Sequence, residues 1–232
     1  MQTNHVNVVL VEGAWADGFI WSKVIGPLTA TGMKVVTAPL PLTSLGDDIA
    51  ALDRVLERLD GPVVLAGHAY AGAVIAGTRD PKVASLVYIA ALAPEEGETV
   101  GDVFNRGEPH PKAPELKPDS HGLMWLPDEA FAEAFAPNAS PDEQAILAAL
   151  QRPMSVECIG VPVERPLWKD RPSWMLIPAD DRVINPETQR FTAGRMGARA
   201  RTRPVDHTPQ VTAPADVIDI ILDAARHAAA TT

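Results

Sequence analysis

The chain has 232 residues, 46% of them apolar and 22% charged, enough for one domain built on a single substantial core. With 30 Asp and Glu against 20 Lys and Arg the formal net charge is −10, which excludes a binder of nucleic acid or anionic membrane, since both need clustered basic charge. The single cysteine, Cys158, permits no intramolecular disulfide and no cysteine-based zinc site.

Val6 to Val11 is a short β-branched apolar run stopped by Gly13, the form of a buried parallel strand. Trp21 to Thr31 follows as a helix closed by Gly32, and Lys34 to Ala38 as a second strand stopped by Pro39 and Pro41. Ser44 with Asp47 three residues on marks a helix start; Ile49, Leu52, Leu56 and Leu59 keep helical spacing up to Gly61. Pro62 to Ala66 is a third strand, running into Gly67-His68-Ala69-Tyr70-Ala71-Gly72 and a small-residue helix from Ala73 to Thr78. Val83 to Ala90 is a fourth strand and Ser173 to Ile177 a fifth. Pro186 to Met196 is a helix, Ala200 to Val205 a weak strand, and Ala213 to Ala229 a closing amphipathic helix whose Ala-rich tail is expected to fray.

Strands alternating with helices imply an α/β fold, an open parallel sheet with helices on both faces. Ligands then bind beyond the carboxyl ends of the strands, so the turns after Val11, Ala66, Ala90 and Ile177 are where chemistry is expected. Twelve of the 22 prolines fall between Ala93 and Pro172, which marks that segment as irregular between two regular flanks. The apolar run from Val83 to Pro94 is too short to span a bilayer. Met1 to His5 lacks the basic-then-apolar form of a secretory leader, so a soluble cytoplasmic protein, monomer or homodimer, is the expectation.

The turn after the third strand has the form of a nucleophile elbow, Gly-x-Ser-x-Gly, with Ala69 at the central position and Ala71 at the next glycine. Val9 to Trp15, Gly67 to Gly72, Asp180 to Ile184 and Asp206-His207-Thr208 together resemble the α/β-hydrolase superfamily. More narrowly they resemble the small lid-bearing esterases related to plant methylesterases and hydroxynitrile lyases. The resemblance implies a core formed by 1–92 and 173–232, with 93–172 as a helical lid. It implies His207 as general base, Asp181 (with Asp180 as the alternative) as the acid that orients it, and backbone N–H groups of Ala14 and Tyr70 as an oxyanion hole. It also implies a small-molecule ester or carbonyl substrate and no cofactor.

Alanine cannot form an acyl-enzyme, so the nucleophile is missing. Three readings are open: a serine esterase inactivated by Ser→Ala, a natural enzyme using His207 without a nucleophile, and a non-catalytic ligand-binding protein. Glu12 stands where the family has histidine and Ala71 where it has glycine, and three departures around one site favour natural divergence. Glu12, shielded at the end of the first strand, is a candidate proton donor or acceptor beside His207, or else a residue that holds turn amides.

Trp15, His121 and Trp125 are candidate substrate contacts, whereas His68 is read as a support of the turn. Phe104, Phe131, Phe135 and Trp168 would wall an apolar pocket or form the lid's own core. Cys158 reads as a small buried hydrophobe. The histidines and carboxylates show no metal-ligand spacing, and no glycine-rich phosphate motif is present.

Overall fold

The computed structural model describes residues 5–231. Four of the five residues read as lacking a leader, and Thr232 at the end of the core segment, lie outside the described residues.

Six parallel strands form one sheet: β1 (Asn7–Val11), β2 (Lys34–Thr37), β3 (Val63–His68), β4 (Val83–Ile89), β7 (Ser173–Pro178) and β8 (Arg199–Arg203), in the order β2-β1-β3-β4-β7-β8. Every residue of β1 and β3 is buried, as continuous β-branched runs in a covered parallel sheet require. The chain reverses direction across the sheet after β2. Right-handed crossovers therefore send α1 (Ser22–Ala30) to one face and α2 (Leu45–Leu56) to the other. The closing helix α9 (Pro214–Thr231) packs on α1 and across β3, β4 and β7, while α2 packs on α3 (Ala71–Gly77).

Ser44 caps α2, its hydroxyl accepting the Asp47 N–H at 3.1 Å. Gly197, with φ +61°, ends α7 (Pro186–Met196) in a left-handed cap. The arginines of β8 are tied to α9: Arg201 pairs with Asp219 and Asp223, and Arg203 with Asp216. That edge strand is held by charge more than by apolar contact. The Ala-rich tail, expected to fray, is helical through Thr231, because Ala224, Ala225 and Ala228 are fully buried.

Residues between β4 and β7 add no strand to the sheet. They form α4 (Val100–Phe104), a two-stranded antiparallel ribbon of β5 (Leu123–Met124) and β6 (Met154–Ser155), the short α5 (Asp128–Ala130), a π-helical turn at Phe131–Phe135, and α6 (Pro141–Ala149). The proline-dense stretch is thus less irregular than its composition implies. Ser140 and Thr99 each start a helix with a full capping box, which offsets the proline interruptions locally.

Candidate active site

The register brings the functional turns to one edge. Val11 lies beside Gly67, His68 beside Ile89, and Ile89 beside Leu176, so β1, β3, β4 and β7 end together. At the end of β3, Ala69 has φ +51°, the left-handed conformation that an L-residue adopts at a cost. Its N–H donates to Ile89 O, and its carbonyl accepts from Gly72 and Leu92, each at 3.1 Å. Gly13 explains the closeness of the neighbouring turn: a Cβ there would sit 2.7 Å from His68 O and 3.1 Å from the Ala69 Cβ. The next residues, Ala14 and Trp15, therefore face the elbow. Trp15, also left-handed at φ +59°, is fixed by its N–H to Arg152 O and its indole N–H to Met124 O, both 3.0 Å. The backbone N–H groups of Ala14 and Tyr70 have no acceptor among the described residues.

His207 follows β8 in a loop braced by Asp206, whose carboxylate accepts from the Thr208 N–H, the Thr212 hydroxyl and the Asn138 N–H. Its Nδ1 lies 3.0 Å from both carboxylate oxygens of Asp181. A carboxylate only accepts, so the Nδ1 carries a proton, and in the neutral ring the lone pair lies on Nε2. Asp181 is itself held: Oδ1 accepts the N–H groups of Val183 and Ile184 at 2.9 Å, and Oδ2 the Gln189 amide at 2.8 Å. The Nε2 of His207 is buried and has no partner among the described residues.

His68 donates its Nε2–H to the His207 carbonyl at 2.8 Å, and its ring lies 4.8 Å from the His207 ring. Burial, reinforced by His207, pushes the His68 pKa well below the ordinary histidine value, so this imidazole stays neutral. Phe135 packs on both rings.

A cavity of about 200 Å³ opens above this edge, with Ala14, Trp15, Ala69, Tyr70 and His207 at its base. Leu92, Val100, Phe104, Leu116, Met124, Met154, Ile159, Val183 and Ile184 make apolar walls, joined by Gly101 and Asn105, and among the described residues no charged side chain lines it. Of the expected substrate contacts, Trp15 lines the cavity, whereas His121 and Trp125 do not. His121 is exposed, and Trp125 turns outward, 46% exposed, with its indole N–H 3.3 Å from Asp119. Met124, the last residue of β5, is buried, and Trp125, just past the strand end, is exposed.

Glu12 is likewise outside the cavity. It is 1% exposed, with Arg152 3.9 Å away and no hydrogen-bond partner for either side-chain oxygen among the described residues. Loss of hydration raises its pKa to about 7, opposed by its own backbone N–H, by Arg152 and by the Leu40 backbone, with Asp17 adding. Asp180 is exposed, so Asp181 alone meets His207. Cys158 contacts Asp48 at 3.7 Å instead of His207, and burial pushes its thiol up to about 12, which makes it a poor nucleophile.

Sequence reasoning missed Gln189 and Asp48, both fully buried. Asp48 left a signal: it sits four and eight residues before Leu52 and Leu56, on the apolar stripe of α2. Among the described residues no cluster of three metal-ligating side chains occurs, and no helix is long and apolar enough to cross a membrane.

A parallel sheet, a strained turn after β3, and a following acid and histidine in that chain order are the features of an α/β hydrolase. The chain matches the alpha/beta hydrolase family over residues 8–220, and it belongs to that family. It is similar to a carbendazim hydrolyzing esterase of Nocardioides sp. (strain SG-4G), 34% identical over 112 residues. That match takes in 40% of this chain and 45% of the esterase, less than half the relative's length. In fold it is similar to a pyrethroid hydrolase from Sphingobium faniae JZ-2, with 23% identity, a TM-score of 0.82, and 95% of this chain and 98% of that one covered. A methylesterase from Arabidopsis shares 17% identity at a TM-score of 0.76, over 95% of this chain and 99% of that one.

Proposed function

We propose that this α/β hydrolase acts on a small, neutral, apolar ester or carbonyl compound by non-covalent acid/base catalysis at His207. The observation that carries the reading is the unpartnered Nε2 of His207 at the buried end of an uncharged cavity, its Nδ1–H fixed on Asp181. Without Ser at residue 69 no acyl-enzyme forms, and the Nε2 lone pair takes a proton from water or from a carbon next to the carbonyl. Asp181 holds the tautomer and stabilises the imidazolium that results. The free N–H groups of Ala14 and Tyr70 receive the carbonyl oxygen as charge develops on it. An uncharged wall selects against carboxylate or ammonium groups, which would lose hydration with nothing in return. The esterase and hydrolase names of the relatives support an ester substrate. The segment 93–172 serves as the lid, supplying Val100, Phe104, Leu116, Met124 and Met154 to the walls. Glu12, outside those walls, takes no part in this scheme.

The second reading, a ligand-binding protein on a hydrolase scaffold, rests on Ala69 itself. A p-nitrophenyl ester panel run on the parent, Ala69→Ser and His207→Ala separates the two. Slow turnover by the parent that falls at least ~100-fold in His207→Ala supports base catalysis. Gain of a burst phase in Ala69→Ser shows the oxyanion N–H groups and the His207–Asp181 pair ready for acyl transfer. Tight apolar-ligand binding with no turnover, unchanged by His207→Ala, overturns catalysis in favour of binding.

A further inference from the structure

Asp48 is a carboxylate buried without a cation. It lies in the first turn of α2, where the helix N-terminus favours negative charge, yet it faces inward and no ion pair reaches it among the described residues. Its company is three hydrogen-bond donors from three separate segments. The Tyr70 hydroxyl donates to Oδ2 at 2.7 Å, the Leu42 N–H to Oδ1 at 2.7 Å, and the Cys158 thiol to Oδ2 at 3.7 Å.

Each donor leads to the cavity. Tyr70 carries one of the two free N–H groups at the cavity base. Cys158 precedes Ile159, a wall residue whose carbonyl accepts from Gly101, another wall residue, at 3.0 Å. Leu42 is held in the left-handed region at φ +59°, and its carbonyl accepts the Ser155 N–H at 3.0 Å, one residue from the wall residue Met154. A single carboxylate therefore joins the elbow, the turn after β2 and the segment from Met154 to Ile159.

We infer that Asp48 is a positioning residue: it sets the direction of the Tyr70 N–H and seats the Met154–Ile159 wall against it, so that the carbonyl pocket and its cover form as one unit. The inference rests on the carbonyl-site reading above for its catalytic consequence, though not for the structural coupling. Burial pushes the Asp48 carboxyl above its ordinary pKa, with Tyr70 and Leu42 opposing, so the group depends on its donors to remain ionised. Burial, together with Asp48, also pushes the Tyr70 phenol up, which keeps it a donor.

The test uses Asp48→Asn and Tyr70→Phe, each alone and together, in the full chain, with folding checked by circular dichroism. Amide resonances of Tyr70 and Ile159 in a ¹⁵N-labelled sample read the coupling directly. The proposal expects both amides to move in Asp48→Asn and in Tyr70→Phe, and the double variant to move them no further than the larger single effect. The same substitutions in the Ala69→Ser background, with p-nitrophenyl butyrate, are expected to lower kcat about tenfold with KM little changed, again without additivity. Immobile Tyr70 and Ile159 amides in Tyr70→Phe overturn the proposal, as do fully additive kcat losses. Should Asp48→Asn not fold, Tyr70→Phe decides alone. If Ala69→Ser proves inactive, the carbonyl-site reading fails, while the amide shifts still decide the role of Asp48.

Discussion

Two buried acids, one after β1 and one after β7, show how differently one residue type is used. Asp181 receives two backbone N–H groups, a glutamine amide and a histidine, so both of its buried oxygens are hydrogen-bonded. Glu12 receives none among the described residues and has one arginine 3.9 Å off, so its charge is costly. The sequence showed that Glu12 was unusual and placed it at the right strand end, but which side of the Gly13 turn it occupies depends on packing from Arg152, more than a hundred residues away. Its raised pKa makes a sharp prediction. A carboxyl with a native pKa near 7 against an ordinary 4.5 contributes stability that is complete below pH 4.5 and lost as pH climbs through 7. Glu12→Gln removes that dependence. Unfolding free energies of parent and variant in urea are expected to diverge between pH 4.5 and 8, the parent losing on the order of 3 kcal/mol relative to the variant. Any fixed cost of burying the amide moves both ends alike, so the slope is the readout. Parallel curves would show that Glu12 stays ionised throughout.

The strand–turn–helix unit of β3, Ala69–Tyr70 and α3 was the most legible element, because a β-branched buried run and a small-residue turn are local signals. The histidine and acid turns were legible only through their resemblance to the hydrolase family, which set their order along the chain. The cavity walls were not: Met124, Met154, Phe104 and Leu116 come from a segment whose short elements are set by contacts with the sheet. Met124 is buried and Trp125, just past the ribbon, is exposed, and a two-residue strand carries no alternation that could be read beforehand. The turn after β3 holds Ala69 in the left-handed region, and two alanines four residues apart test the strain this stores. Ala69→Gly relieves left-handed strain of roughly 1 kcal/mol while giving the unfolded chain more freedom, so it is expected to leave stability within about 0.5 kcal/mol. Ala73→Gly, inside α3, gains no such relief and is expected to cost about 1 kcal/mol. Denaturant midpoints for the two variants check the contrast, and equal losses would mean that the Ala69 turn stores no strain.

At the scale of the molecule the chain divides by how its parts are held. The six-stranded sheet is tied by parallel ladders, broken only by a register shift between Val63 and Val64 against β4. The segment between β4 and β7 is fastened at separate points: Trp15 to Met124 and Arg152, Leu42 to Ser155, Arg152 to Leu40, Asn138 to Asp206, Asn185 to Glu108, and Arg195 to Ala93. Several of those points are single hydrogen bonds, each contributing about 1 kcal/mol, and none is a ladder. Cooperative units opening below the global unfolding free energy are drawn from such loosely fastened parts. Amide exchange by mass spectrometry is therefore expected to show 106–126 and 136–153 opening well below the free energy for β1, β3 and β4. Phe131 and Phe135 are buried, and Phe135 packs at a tilt against the His207 ring, so the π-helical turn is expected to exchange with the sheet instead. A Trp15→Phe variant, losing the indole N–H to Met124 O, is expected to speed exchange in the β5–β6 ribbon several-fold and leave β3 untouched. If ribbon and sheet instead exchange at one common free energy, the insertion is part of the core unit. Access to His207 would then require global opening or a path through the cavity mouth as it stands, in place of the separate movement of a cover.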